Sequence, residues 1–390
     1  MKNFTKLLAV ILVCIIALSS AACSLTPQWS YKEGDNELAI GVYIYALNSA
    51  YGQAQSYAQQ TEAYDAEAGT YNGETSFLDV EITDDDGTTM VASEWIKQEA
   101  DMTLRTILAI DYEFERLGAT IDEADVEGYK AYAKECWEYD PYYSTYGEQY
   151  ISPYKDVYEP LGVSYESFEY FYTSSVKQQA VFDALYGAGG EKEVTDKELT
   201  AYFTENYTSY TYFNTNLYKS VEVENEDGTK TNENEALSKK ESDKIKADFK
   251  SYVDSINAGT KLDDVVKNYM KDYEIQDDPR ISNVEILADS VIGEDLVKEI
   301  EKLKEGKASS KVIGADNSQV IYFFYKEAIK NQIDKYIGDA TNRATVLKNY
   351  KDEEFTKYIE DLANTLNITV SDAVNDYEPS MFEVEAETVQ

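Results

Sequence analysis

The apolar residues of this chain recur at helical spacing over long stretches. Ile107, Ile110, Phe114 and Leu117 follow one another at steps of three and four residues, and Gly118 provides a stop. The same reasoning predicts further helices at 38–51, 120–138, 164–186, 245–259, 262–269, 296–303, 333–347 and 355–366. Helices therefore dominate both ends of the chain.

Helix starts and strands have their own local signals. Thr120 with Glu123, and Thr195 with Glu198, have the spacing of a capping box. β-branched and aromatic residues predict strands over 208–223 and 320–325. Polar turns are expected at 84–87 and 225–234. The order is helices, then a β-containing segment, then helices, which favours a module inserted into one helical body.

The first 23 residues have the pattern of an export signal. Lys2 and Lys6 precede an apolar run over 7–18, and small residues lead to Cys23. This resembles a bacterial lipoprotein signal, in which the cysteine receives diacylglycerol and the preceding peptide is removed. Ordinary secretion and a retained anchor are the alternatives. The run is short for a membrane span, which favours cleavage.

The charge balance limits the expected partners. The chain has 74 acidic and 35 basic residues, a net charge of −39. Repulsion opposes binding to nucleic acid and to anionic lipid head groups, so neither is expected as a partner. The simplest interpretation of this acidity is solubility outside the cell. A lipid at Cys23 would attach such a chain to the membrane without a basic patch.

Cysteine and histidine usage excludes several chemistries. Cys14 lies in the signal and Cys23 would be lipidated, so Cys136 alone remains and no internal disulfide framework is expected. We expect Cys136 to be a small buried residue on the apolar side of a helix with Val126 and Tyr129. The absence of histidine removes histidine triads and imidazole zinc sites.

No cofactor or metal site is expected from the sequence. The run from Asp84 to Gly87 could suggest a calcium loop, but Ile82 occupies the place of the first acidic ligand. A solvated hairpin turn is the favoured interpretation. Glycine-rich phosphate-binding and dinucleotide-binding motifs are also missing.

Tyrosine is unusually frequent, at 35 of 390 residues, and concentrates between 129 and 172. Tyrosine rings offer large contact area, and their hydroxyl groups tolerate water, which suits a surface that binds varied peptides. The alternative is that these rings pack a core. The candidate peptide-binding residues are Trp137, Tyr142, Tyr143, Tyr146, Tyr150, Phe168, Phe171 and Tyr172.

The layout resembles the SurA and PrsA group of extracytoplasmic chaperone-foldases. The similar pieces are VTDKELTAYFTEN (194–206), INAGTKLDDVVKNY (256–269), LVKEIEKLKEGKASSKVI (296–313) and QVIYFFYKEA (319–328). The resemblance implies a mainly α fold with an inserted α+β module. A SurA-like helical domain would be built from both ends of the chain, together with a parvulin-like prolyl isomerase domain. It also implies a four-stranded sheet flanked by helices between Thr208 and Tyr325.

The chain departs from this group at the active site. Parvulin sites usually have one histidine in the first strand of the domain and another in the last. Here those strands read YTYFNTNLYKS and QVIYFFYKE, without histidine. No catalytic residue is therefore assigned, and a degenerate domain is favoured over an enzyme.

These observations give six expected segments. They are a signal peptide (1–22), a flexible linker (23–36), an N-terminal helical domain (37–207), a degenerate parvulin-like domain (208–330), returning helices (331–376) and an acidic tail (377–390).

The leading functional hypothesis is a lipid-anchored chaperone on the extracytoplasmic face of the membrane that binds unfolded, newly exported polypeptides. A prolyl isomerase with a histidine-free site is one alternative. A substrate-binding or adhesion lipoprotein is another, and it would require a deep pocket between rigid lobes.

Overall fold

The computed structural model describes residues 28–139, 153–224, 229–315 and 317–383. The chain divides into two compact units. Unit 1 combines the residues up to Glu193 with those from Asp352 onward, and unit 2 is Val194–Lys351. The predicted boundaries of the parvulin-like domain, at 207/208 and 330/331, stay a prediction. Unit 2 begins before residue 208 and ends after residue 330. Both units are rich in helix and contain small sheets, a mixed and mainly helical architecture.

In its described residues, unit 1 contains five helices and the end of a sixth. The helices are α1 (Ile40–Ala58), α2 (Ala92–Leu117), α3 (Glu123–Glu138), α4 (Tyr154–Tyr158), α5 (Tyr165–Tyr186) and the last part of α11 (Ala340–Thr365). Its strands are β1 (Trp29–Glu33), β2 (Asn36–Ala39), β3 (Tyr64–Asp65), β4 (Thr70–Tyr71), β5 (Glu81–Thr83), β6 (Thr89–Val91) and β13 (Thr369–Val370). Short 3₁₀ helices lie at Glu159–Leu161, Asp372–Asp376 and Pro379–Phe382.

Helices α1, α2 and α5 form the centre of unit 1. Gly41 on α1 lies against Ser167 of α5, where an added Cβ would lie 2.5 Å from the Ser167 Oγ atom. The missing side chain therefore lets the two helices approach closely. Ile96, Leu104 and Leu108 of α2 are fully buried in the adjoining core. Gly118 ends α2 in the left-handed conformation (φ 61°), as its position in the sequence predicts.

Two carboxylates are buried among the helices of unit 1. Asp111 of α2 accepts hydrogen bonds from Tyr170 and, at 2.5 Å, from Lys177, both on α5. Glu113 is fully buried and accepts two hydrogen bonds from Arg116, at 2.6 and 2.7 Å. Tyr358, on the returning stretch of α11, also donates to Glu113 at 2.5 Å. These contacts link three helices of unit 1 through side chains.

Part of the predicted flexible linker (23–36) is structured, because residues 29–33 form strand β1. Strand β1 is the centre of a three-stranded sheet, between β13 and β2. Ser30 is fully buried and Tyr31 is 3% exposed. The linker prediction was therefore wrong from residue 29 onward. Strand β1 pairs locally with β2 and also with residues more than 300 positions later, and this second pairing is non-local.

The start of the predicted acidic tail is also structured. Residues Pro379–Phe382 form a 3₁₀ helix, and the Phe382 ring contacts Tyr51 of α1 at 5.6 Å. The tail prediction was therefore wrong for this part of the chain. The Tyr377 and Phe382 rings pack against the core of unit 1 and attach this part of the acidic tail to it.

Unit 2 is built around one sheet. Its helices are α6 (Asp196–Asn206), α7 (Lys239–Asn257), α8 (Leu262–Asp272), α9 (Glu294–Lys302), α10 (Ile333–Tyr336) and the start of α11, with 3₁₀ turns at Leu287–Asp289 and Ile329–Gln332. Its strands are β7 (Thr208–Asn216), β8 (Tyr218–Glu224), β9 (Lys230–Ala236), β10 (Ile281–Glu285), β11 (Lys307–Ile313) and β12 (Val320–Glu327).

Four of these strands form an antiparallel sheet in the order β10-β7-β12-β11. One face packs on α7 and α8, where Phe213 and Phe323 lie opposite each other with their rings stacked at 4.5 Å. The other face packs on α9 through Leu296 and Ile300. The segment that the sequence expected to contain a sheet flanked by helices does contain one.

Several local predictions need correction. The predicted strand over 208–223 is two strands, because Leu217 is buried at their junction. Residues 230–234, expected as part of a turn, belong to β9 (Lys230–Ala236). Helix α3 is capped by Asp122, whose side chain accepts from the Ala124 amide, and the Thr120–Glu123 capping box was wrong. The Thr195–Glu198 box is present.

Two further expectations concern Cys136 and the membrane. Cys136 is buried, with 1% of its surface exposed, as predicted. Among the residues that the structure describes, no helix combines the length and apolar character needed to cross a membrane.

Candidate functional site

The described candidate residues meet around Phe168 in unit 1. Phe168 of α5 is fully buried, and its ring lies 4.6 Å from Tyr172 and 5.2 Å from Trp137 of α3. We call the rings joined in this way the aromatic cluster. They are Tyr45, Trp137, Tyr154, Tyr158, Tyr165, Phe168, Phe171 and Tyr172.

Local sequence explains how these rings converge. Phe168 and Tyr172 are four residues apart, so they lie on one face of α5. On α3, the small residues Ala133 and Cys136 are buried beside Trp137 and leave room for its ring. Helix α1 contributes Tyr45, which contacts both Phe168 (5.5 Å) and Phe171 (4.6 Å). The cluster is therefore a rigid packing of rings from α1, α3, α4 and α5.

Burial keeps the phenols of the cluster neutral. It raises the pKa of Tyr45, Tyr158 and Tyr172 above the ordinary tyrosine value. For Tyr45 and Tyr172, neighbouring phenols raise the pKa further. These hydroxyl groups remain hydrogen-bond donors and acceptors near neutral pH and do not provide charge.

An exposed rim adjoins this buried cluster. It consists of Tyr129, Tyr132 and Tyr139 on and just after α3, which are 45%, 54% and 64% exposed, together with Val157 of α4, which is 45% exposed. We call these four residues the aromatic rim. The Tyr132 ring contacts Tyr172 of the cluster at 6.0 Å. The rim therefore presents apolar surface to solvent on a rigid base.

The sequence interpretation was wrong about the burial of Tyr129 on α3. It was expected to be buried with Cys136, whereas Tyr129 is exposed and Cys136 is buried. The two residues are seven apart and lie on nearly the same face, but the buried residues of α3, which are Ala133, Cys136 and Trp137, all lie in its C-terminal half. The charged neighbours Lys130 and Lys134 were the signal that this part of α3 faces water.

Carboxylates lie beside the aromatic cluster. Tyr165 has a raised pKa because it is desolvated, because it hydrogen-bonds Glu169, and because Glu138 and Glu166 are close. Lys130 and Lys134 each form an exposed ion pair, with Glu127 at 3.8 Å and Glu138 at 3.9 Å. Acidic groups therefore accompany the aromatic surface.

The candidate residues fall into three groups in the structure. Trp137 and Phe168 are buried and support the surface. Phe171 and Tyr172 are half-buried. Tyr142, Tyr143, Tyr146 and Tyr150 lie outside the described residues, as does Cys23. Peptide binding by these residues stays a prediction.

A second aromatic surface lies on the four-stranded sheet of unit 2. Tyr210 and Tyr212 of β7 and Tyr322 and Phe324 of β12 share the face that packs on α9. Tyr322 and Phe324 stack at 5.9 Å, and Tyr212 lies 6.3 Å from both Tyr210 and Tyr322. We call these four rings the aromatic ladder. Tyr212 and Tyr322 are its half-buried members.

A polar network adjoins the aromatic ladder. The Tyr210 hydroxyl donates to Glu285 at 2.5 Å and accepts from the Asn283 amide at 2.9 Å. Ser290 also donates to Glu285, at 2.5 Å. Burial, followed by the hydrogen bond to Glu285, raises the pKa of Tyr210 to about 12. The network therefore places a neutral hydroxyl beside a carboxylate where β7 pairs with β10.

Three other kinds of feature could bind a ligand: acidic side-chain clusters, the 84–87 turn and a surface depression on α7. Within the described parts of the chain, no group of three or more acidic or cysteine side chains is arranged to hold a metal ion. Asp84 of the 84–87 turn accepts from the Thr88 amide (2.8 Å), the Asp86 amide and the Trp95 indole, so its carboxylate serves the turn. An open surface depression of about 460 Å³ lies along α7 and is lined by Ala247, Lys250, Ser251, Asp254, Ser255, Ala258 and Thr260.

Comparison with known proteins finds matches among solved structures. No family model matches the chain, and no curated protein matches it. Among solved structures, the neighbours include foldase structures.

Two of these foldase structures are PrsA proteins. The chain is similar to foldase protein PrsA from Streptococcus pneumoniae str. Canada MDR_19A, with 17% identity over 76% of this chain and 97% of that chain, and a TM-score of 0.33. It is also similar to PrsA from Bacillus subtilis, with 15% identity over 79% of this chain and 100% of that chain, and a TM-score of 0.24. These likenesses are too distant to assign a family, so functional proposals depend on the residues described above.

Proposed function

We propose that this protein is a lipid-anchored, extracytoplasmic chaperone that binds unfolded exported polypeptides through unit 1. The observation that supports this most directly is the aromatic rim. Tyr132 is exposed and contacts the packed aromatic cluster through Tyr172, and Tyr129, Tyr139 and Val157 are further exposed residues on or next to the helices that contribute rings to the cluster. Exposed apolar surface of this kind is a feature of interaction sites.

The chemistry of the rim suits varied polypeptides. Tyrosine gives large contact area with little loss of side-chain entropy, and its hydroxyl tolerates water between contacts. The rigid cluster beneath adds no ordering cost when a segment binds. Nearby Glu138, Glu166 and Glu169 favour segments that also contain lysine or arginine.

Suppression of client aggregation tests this proposal. The full chain, at equimolar ratio to an unfolding client, is expected to reduce light scattering. The double variant Tyr129→Ala, Tyr132→Ala is expected to lose at least about half of that suppression, because it removes two of the exposed rings. Alanine suits a helix, so the unfolding temperature should change little.

Matched controls remove exposed apolar groups elsewhere. Met102→Ala on α2 and Val291→Ala in unit 2 truncate side chains that are 43% and 97% exposed. Both should suppress scattering as the unchanged protein does. The proposal fails if the unchanged protein has no effect at equimolar ratio, or if the rim variant and the controls are equally active.

The lipid anchor is a separate part of the proposal. Its support is the sequence pattern around Cys23, preceded by an apolar run and small residues. Expression in a bacterial host with a labelled fatty acid should label the chain and place it in the detergent phase. Cys23→Ser should abolish both signals. Retention of the label in that variant would contradict lipidation at Cys23.

A second candidate function is prolyl isomerisation by unit 2. The specific observation is the pair of half-buried rings Tyr212 and Tyr322 on the aromatic ladder, which offers a proline ring aromatic surface. A proline-limited refolding assay should show rates that rise in proportion to protein concentration. Tyr212→Ala should reduce this rate without unfolding the sheet. Refolding rates independent of protein concentration would exclude this activity.

A further inference from the structure

The two-stranded sheet of unit 2 has outer edges to which no strand of the described chain is paired. Strands β8 and β9 pair with each other over seven positions, from Tyr218 with Ala236 to Glu224 with Lys230. We call them the β8–β9 hairpin. It follows β7 directly after Leu217, whose backbone hydrogen-bonds to Gln319 and Leu237. The hairpin is therefore firmly attached at its base.

Both faces of this hairpin are open to solvent. Every residue of β9 is exposed, and β8 has only exposed and half-buried residues. A two-stranded hairpin alone is marginally stable in water. Each outer edge presents backbone N–H and C=O groups that a further strand can pair with.

The side chains of β8 alternate in chemistry. Val221 and Val223 lie on one face and are half-buried, whereas Glu222 and Glu224 lie on the other face and are exposed. Lys230 of β9 lies opposite Glu224, and its ammonium group pairs with Glu222 at 2.6 Å, so one of the two carboxylates is already partly neutralised. On β9, Glu233 lies opposite Val221. The strand is therefore apolar on one side and acidic on the other.

We propose that the outer edge of β8 binds an extended segment with alternating apolar and basic side chains as a third strand. Such a segment would place its apolar residues beside Val221 and Val223, and its lysines or arginines beside Glu222 and Glu224. Backbone hydrogen bonds would supply affinity, and the alternation would supply specificity. The identification of this segment as an exported polypeptide in extended form rests on the proposed function. This proposal is independent of the aromatic rim.

The charge of the chain argues against a second copy as the occupant. Each copy has a net charge of −39, and edge-to-edge pairing of two hairpins would bring like charges together. Sedimentation of the protein alone is therefore expected to show no association that depends on Glu222 and Glu224. Hairpin-dependent dimers would overturn the proposed occupant.

A pair of synthetic peptides tests the proposal on the full chain. One alternates valine and lysine over eight residues, and the other has four valines followed by four lysines. The alternating peptide should bind about fivefold more tightly than the block peptide in fluorescence anisotropy. Amide hydrogen exchange should slow on β8 when the alternating peptide is bound. Equal affinities, or protection that omits β8, would overturn the proposal.

Variants locate the binding to the two faces of β8. Glu222→Gln with Glu224→Gln should weaken binding of the alternating peptide about fivefold. The matched control, Glu353→Gln with Glu360→Gln on α11, makes the same charge change at exposed positions and should leave binding unchanged. Val221→Thr with Val223→Thr keeps β-branched residues and should also weaken binding. Full affinity in both β8 variants would contradict the proposed edge.

Discussion

Units 1 and 2 stabilise their interiors in different ways. Unit 1 is assembled from two separate stretches of chain and buries the charged groups Asp111 and Glu113 between helices. Unit 2 is centred on a sheet whose backbone hydrogen bonds fix the position of each strand, and Phe213 and Phe323 stack within it. Helices have no backbone bonds to one another. The comparison teaches that unit 1 depends on side-chain pairs for helix position, whereas unit 2 depends on strand register and ring packing.

The largest expected effect comes from the core of unit 2. Phe213 is fully buried and its ring contacts Tyr269 at 4.4 Å and Phe323 at 4.5 Å. Phe213→Ala should lower the free energy of unfolding of unit 2 by about 4 kcal/mol, because it leaves a cavity. Denaturant unfolding with residue-level hydrogen exchange measures this. Tyr212→Ala, on the other face and half-buried, is the control and should cost less than half as much.

The next effect concerns the buried charge of unit 1. Glu113→Ala removes the carboxylate that Arg116 and Tyr358 share. It should lower the free energy of unfolding of unit 1 by about 3 kcal/mol, near the lower end of the range for broken buried ion pairs. The loss should appear in hydrogen exchange of unit 1. The exposed neighbour Glu115→Ala is the control and should stay within about 0.5 kcal/mol of the unchanged protein. If both variants lowered the free energy of unfolding equally, the buried charge would not be what positions the helices of unit 1, and the contrast with unit 2 would be lost.

Alkaline pH should affect both units by a smaller amount. Burial raises the pKa of Tyr43 in unit 1 and of Tyr210 in unit 2 to about 12, above the ordinary value of 10.0. The folded state therefore holds these protons more tightly. Their contribution to stability is complete below pH 10 and is lost as pH rises toward 12.

The measurement is the denaturation midpoint from pH 8 to 12. Tyr43→Phe and Tyr210→Phe should each make the decline above pH 10 less steep, because phenylalanine cannot ionise. A decline as steep as that of the unchanged protein in both variants would show that other groups control alkaline unfolding.

Features set by neighbouring residues could be predicted from the sequence. The end of α2 at Gly118 and the capping box at Thr195 and Glu198 depend on a few adjacent residues, and both are present. The sheet in unit 2 was indicated by the apolar strand VIYFFY. Strand β1 pairs with β2 close by, but its pairing with Thr369 and Val370, far along the chain, could not be predicted in this way. Strand β9 is exposed throughout, so it lacks the alternation that marks a half-buried strand.

The candidate site was predictable by region more than by residue. The tyrosine-rich stretch does form an aromatic surface around α3 and α5. Composition, however, does not show which rings face water. Trp137 and Phe168 are buried, whereas Tyr129 and Tyr132 are exposed. The difference depends on how α3 is rotated against α5, which is a matter of tertiary packing.

Strand β1 begins so soon after Cys23 that it would limit how far the protein can lie from the membrane surface. Trp29 is already in the sheet of unit 1, six residues after Cys23. A fully extended chain of that length spans at most about 20 Å. With a lipid on Cys23, the strand could not rise further than this from the membrane surface. A chaperone tethered so closely would meet a polypeptide while it is still leaving the membrane.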